Sequence, residues 1–147
     1  MLFDCCLPPD IEYENIKQQI IAHEGLRLDL YFCPARRITI GVGRNLQEKG
    51  ISEEEAMFLL RNDIYECLYD LIVIFPEFLS FSPARQTALI DLRLNLGPKG
   101  FRSFKRMIEA IKADDWAVAA EELKDSRWWT QVQDERKNTL YNQLKGE

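Results

Sequence analysis

The sequence predicts an α+β, mostly helical fold in which a small β-hairpin lobe is joined by one long helix to a helical lobe. Three observations carry that expectation. Apolar residues recur at helical spacing through most of the chain, strict apolar/polar alternation is confined to residues 28–43, and a long uninterrupted helical run follows Ser52. At 147 residues the chain is expected to form a single domain. Its parts are an N-terminal extension over 1–10, a helix plus hairpin over about 11–51, a connecting helix over about 52–76 and a helical lobe over about 82–147.

The first helix is expected from Tyr13, where Ile16, Ile20 and Ile21 share one face, to Glu24, with Gly25 as its stop. Leu28, Leu30 and Phe32 then alternate with Asp29 and Tyr31; Pro34–Arg37 breaks the pattern, and Ile38, Ile40 and Val42 alternate with Thr39, Gly41 and Gly43. Two alternating runs around a four-residue break predict a hairpin. Its apolar set is expected inward, with Thr39 and Gly41 turned toward water or a cleft.

After Gly50, Ser52 and Glu55 form a capping box, and the apolar residues Ala56, Leu59, Leu60, Ile64, Cys67, Leu68 and Leu71 keep helical period until Pro76. Ser82 followed by Pro83 opens the next helix, which Gly97 stops. "FRSFKRMIEAIKA", "WAVAAEELKDS" and one amphipathic segment over about 127–144 complete the helical lobe. Trp116 and Trp128, at helix starts, are expected to be core anchors; Trp129 is left open between core and sugar stacking.

Composition narrows the function classes. No stretch approaches the ~20 apolar residues needed to cross a bilayer, so stable membrane insertion is not expected. The N-terminus has an acid at position 4, two prolines and no basic start, a poor signal peptide, so synthesis in a cytoplasm is expected. One histidine and four scattered cysteines make no recognisable ligand pairs, and neither metal nor cofactor is expected. Cys67 reads as core, Cys5 and Cys6 as incidental. Net charge is −5, with 7 basic and 14 acidic residues over 1–81 against 12 and 10 over 82–147. Arg93, Lys99, Arg102, Lys105 and Arg106 form an acid-free run, read either as a solvated surface or as a patch for an anionic polymer; the overall acidity argues against nucleic acid.

"HEGLRLDLYFCPARRITIGVG", residues 23–43, holds the chain's single histidine and three of its seven glycines. Within it Glu24 is followed after eight residues by Cys33 and after five more by Thr39. This run, together with "ALIDLRLNLGPKGFRSFKRM" and "DDWAVAAEELKDSRWWTQV", resembles the phage-type lysozymes of glycoside hydrolase family 24 over about residues 11–145. The resemblance implies a lysozyme-like two-lobed fold and a muramidase that cleaves, with inversion, the β-1,4 bond between N-acetylmuramic acid and N-acetylglucosamine in peptidoglycan. It assigns Glu24 as general acid and places Cys33, where most members carry Asp, and Thr39 at the attacking water. It also carries sugar contact onto Tyr31, Asn45, Leu94 and Asn95.

Inverting hydrolysis needs an acid at the leaving oxygen and a base on the opposite face of the sugar. A free thiol of pKa ~8.5 is only a few per cent ionised at pH 7, so Cys33 as base requires a lowered pKa, for which Arg36 and Arg37 are the expected cause. Cys33 as nucleophile, and Cys33 as a small filler in a disarmed enzyme, stay open. Two departures from the family pattern stand out. Arg44 occupies the place of a histidine after the hairpin glycines, and Glu135, with Arg136 next to it, occupies the place of an arginine that pairs with the catalytic glutamate. His23 reads as a neighbour of the acid rather than a base. An enzyme made in the cytoplasm reaches the wall only with a holin or another export route, and is expected to act there as a monomer. A wall-binding or structural protein that has lost the chemistry is the competing expectation.

Overall fold

The structure is a computed structural model describing residues 11–146, so Cys5 and Cys6 lie outside the described residues. It is α+β and mostly helical, and divides into two compact units, one ending at Ala56 and the other beginning at Met57.

In the first unit, helix α1 (Tyr13–Glu24) ends as expected at Gly25, whose N–H donates to the Ile21 carbonyl at 2.8 Å. Strands β1 (Arg27–Phe32) and β2 (Ile38–Gly41) pair antiparallel, with Tyr31 opposite Thr39 and Phe32 opposite Ile38. Their turn is closed by Arg36 N–H on the Cys33 carbonyl (2.8 Å) and Cys33 N–H on the Arg37 carbonyl (3.1 Å), with Arg36 in the left-handed region at φ 56°. The sheet goes beyond the expected hairpin. A third strand, β3 (Arg44–Asn45), pairs with β2, and a one-turn helix, α2 (Leu46–Lys49), follows it. Two-residue pairing leaves no alternating run to read.

The facing of β2 corrects the expectation. Thr39 is 2% exposed and Ile38 38%, so the threonine side is the covered one. Thr39 is flanked in register by Tyr31 and Asn45, and its hydroxyl donates to the Arg37 carbonyl at 2.8 Å, which removes the cost of burying it.

Helix α3 (Glu53–Ile74) begins with the expected capping box: Glu55 N–H on Ser52 Oγ at 3.1 Å, and Ser52 N–H on Glu55 Oε2 at 2.8 Å. In the second unit its later turns pack with helix α4 (Pro83–Arg102), capped by Ser82 and broken at Gly97 (φ 71°, ψ 173°), where the sequence places the stop. Helices α5 (Lys105–Lys112) and α6 (Trp116–Lys124) follow. The expected final helix is two, α7 (Arg127–Gln131) and α8 (Asp134–Lys145), because Val132 and Gln133 are extended at their junction. Leu71, Phe75, Phe78, Leu89, Leu92, Phe101, Leu123 and Leu140 centre the core of this unit. Each such side chain contributes about 1.5–3 kcal/mol by leaving water. Trp116 and Trp128 are 6% exposed and Cys67 2%, the core positions expected of them. Trp129 joins the core edge, in edge-to-face contact with Tyr141 at 5.9 Å.

The basic run is not one patch. Arg93 is 4% exposed, its guanidinium bonded to Asp70, and Arg102 donates to the same carboxylate at 2.9 Å. These two arginines neutralise a half-covered acid inside the fold.

Candidate active site in the strand unit

Glu24 is the last residue of α1, exposed, immediately before the glycine that turns the chain into β1. The backbone at Gly43 passes against it: a Cβ placed on Gly43 would lie 2.8 Å from Glu24 Oε2. At Gly41, of similar φ, an added Cβ would meet nothing within 4 Å.

Cys33 follows β1 at the mouth of the turn and is half-buried as a free thiol. Its pKa is held below the ordinary thiol value, chiefly by the backbone of Arg37, with further help from the Ala35 backbone and the Thr39 hydroxyl; partial burial opposes them. The cause therefore differs from the expected one. Turn amides and a hydroxyl, rather than arginine charges, favour the thiolate, and the Arg37 guanidinium is paired with Glu48 at 2.9 Å. Thr39 has one hydroxyl proton for two acceptors, the Arg37 carbonyl it bonds and the Cys33 sulfur beside it.

Tyr31 on β1 and Asn45 on β3 flank Thr39 in register on the two neighbouring strands. Arg27 stacks over the Tyr31 ring at 4.5 Å. Asn45 also caps α2, its Oδ1 accepting from Glu48 N–H at 3.1 Å. Glu24, Tyr31, Cys33, Thr39 and Asn45 thus belong to one unit. Leu94 and Asn95 belong to the other, adjacent on α4: Leu94 is 39% exposed, and Asn95 Oδ1 accepts from Trp128 Nε1 at 2.7 Å. Arg136 commits its Nε to Asp91 at 2.8 Å, so its guanidinium is engaged within the helical unit, and Glu135 is exposed.

A cavity of about 540 Å³ lies in the helical unit, a size suited to a small-molecule site. Leu96, Phe104, Met107 and Trp128 give it an apolar lining; Lys105 and Arg106 are basic at its rim, Glu122 and Asp125 acidic. Sequence reasoning missed it because its lining comes from the α4–α5 junction and from α6–α7. Among the described residues no cluster of metal-ligating side chains occurs, and no helix is long and apolar enough to cross a membrane.

A helix-end glutamate, a thiol of lowered pKa just after β1 and a buried hydroxyl on β2 fall within one unit of an α+β protein and make that unit the candidate site. The match that places it is to the phage lysozyme family, whose model covers residues 21–147; the chain belongs to that family. It is also 25% identical over 146 residues to the pre-baseplate central spike protein Gp5 of Enterobacteria phage T4, a match that covers 80% of this chain. The chain spans a quarter of that relative's length.

Proposed function

We propose that this protein is an endolysin-type muramidase that hydrolyses the β-1,4 bond between N-acetylmuramic acid and N-acetylglucosamine in peptidoglycan. The observation that carries this reading is the Glu24, Cys33, Thr39 set on one unit of a chain that belongs to the phage lysozyme family. Glu24 protonates the leaving glycosidic oxygen as that bond breaks. A water attacks the anomeric carbon from the opposite face, and its proton passes to the Cys33 thiolate while Thr39 orients the pair. The lowered pKa of Cys33 supports its use as base near neutral pH. Tyr31 and Asn45, with Leu94 and Asn95, contact the saccharide. The amphoteric rim of the helical-unit cavity suits the charged peptide portion of the same polymer.

Clearing of outer-membrane-permeabilised cells by the parent but not by Glu24→Gln is the expected result. Equal absence of clearing by both contradicts the proposal and leaves a wall-binding or structural protein. That second reading is favoured by Cys33 standing where the family carries Asp, and by a relative that is a central spike protein. Loss of clearing in Cys33→Ala, and retention in Cys33→Asp with activity extended to lower pH, are expected of a base. Direct attack by the sulfur would give a product of retained anomeric configuration; water attack gives inversion. Delivery by a holin is expected, so fusion to a secretory leader should lyse without one, and a folded, exported enzyme that does not lyse counts against the endolysin reading.

A further inference from the structure

We propose that Gly43 is a positioning residue for Glu24, and that an Arg44–Glu55 fork holds Gly43 in place; this rests on the reading of Glu24 as the acid. A Cβ at Gly43 would lie 2.8 Å from Glu24 Oε2, 3.1 Å from Cδ and 3.4 Å from Cγ. Three side-chain atoms of one residue thus line up over a bare Cα. The absence of a side chain at position 43 makes the space in which the exposed carboxylate rests.

That backbone is fixed from two directions. Toward the sheet, Arg44 pairs with Ile40 and Asn45 with Thr39. Toward α3, Arg44 Nη2 donates to Glu55 Oε1 at 2.6 Å and Nη1 to Oε2 at 3.1 Å, a bidentate fork with its partner in the first turn of the helix. Glu55 is itself held by the Ser52 N–H at 2.8 Å, and the Ser52 backbone first, then Arg44, keeps its pKa below the ordinary carboxylate value. Arg44 Nη1 also reaches the Gly50 carbonyl at 3.4 Å, closing the segment between them. A planar fork fixes direction as well as distance, which a lysine ammonium does not. The departure from the family's histidine at this position therefore has a function: the fork locks the residue next to the one on which the acid rests.

Gly41 supplies an internal control. It shares a positive φ (67° against 69°), but an added Cβ there meets nothing within 4 Å. Alanine at either position pays the backbone cost; only at 43 does it displace the carboxylate. The test is a double-mutant cycle read by thermal unfolding and by kinetics on a soluble peptidoglycan fragment. Gly43→Ala is expected to lower Tm only slightly more than Gly41→Ala, because the atoms it meets are the movable end of the exposed Glu24 side chain, and that excess is expected to vanish in a Glu24→Ala background. In the parent background Gly43→Ala should cut kcat by up to about 10²-fold with KM nearly unchanged, as a misplaced reacting group does. Arg44→Lys should lower kcat less, in the same direction. An excess Tm loss that persists without Glu24 overturns the proposal, as does a Gly43→Ala kcat equal to that of Gly41→Ala. If Glu24→Gln is fully active, the catalytic reading and the positioning role fall together, while the Tm coupling still reports the contact.

Discussion

The two units differ sharply in how their side chains are covered. Over residues 11–56 Thr39 is the one described residue that is buried, whereas from Cys67 onward eighteen hydrophobic side chains are. In β1, Leu28 is 80% exposed and Phe32 72%, while Leu71, Phe75, Leu89 and Phe101 in the helical unit are at 0%. The strand unit is organised by turns, caps and hydrogen bonds: Gly25, the Cys33–Arg37 closure, the Ser52–Glu55 box and the Arg44 fork. The helical unit is organised by packing. The contrast teaches that chemistry and stability are carried by different physical means in this chain, and therefore separate under mutation.

The strongest expected separation is Glu24→Gln. Loss of the proposed general acid should lower the rate of wall hydrolysis by about 10²–10⁴-fold, while an unchanged Tm is expected by calorimetry because the side chain is exposed. Phe101→Ala should do the reverse, costing about 3–5 kcal/mol in denaturant unfolding through the cavity it leaves, with activity per folded molecule retained. Asp70→Asn is next. It strands the buried Arg93 beside Glu66 at 3.6 Å, and about 3 kcal/mol is expected from breaking a largely covered pair.

The same acid sets a pH dependence. Hydrogen bonds from Arg102, then Arg93, hold the Asp70 pKa below its ordinary value. Its stabilising contribution is therefore complete above the unfolded carboxylate pKa of about 3.9 and is lost as pH falls through the lower folded value. Acid titration of Tm should show this loss in the parent and not in Asp70→Asn. For Cys33 the lowered pKa predicts an activity limb that rises with pH below the ordinary thiol range, absent in Cys33→Asp. The smallest effect is expected of Leu28→Ser, within about 0.5 kcal/mol, because its side chain stays in water in the folded state. A loss of several kcal/mol there would break the contrast between the units.

The helical part of the fold was legible because its signals are local. Ser52 with Glu55, Ser82 with Pro83, and Gly97 each mark an end that the structure keeps. What escaped depends on contacts distant in sequence. The burial of Thr39 follows from strand neighbours on both sides and a carbonyl bond across the turn, and alternation alone assigned it to the wrong face. Arg93 and Arg102 looked like surface charge until Asp70, more than twenty residues away, was brought between them. At the site, Glu24, Cys33 and Thr39 were picked out by the family resemblance of the run that holds them, and all three fall in the strand unit. The agents acting on two of them were not legible in the sequence: the turn backbone that lowers the Cys33 pKa and the Gly43 backbone against Glu24 belong to the folded chain.

The most direct test is mass analysis, with NMR of the freshly formed ends before mutarotation, of the fragments released from purified peptidoglycan by the parent, Glu24→Gln and Cys33→Ala. The account predicts fragments ending in reducing N-acetylmuramic acid, of inverted configuration when first formed, from the parent, and none from either variant. Release of the same fragments by Glu24→Gln or Cys33→Ala, or their absence from the parent digest, would contradict it.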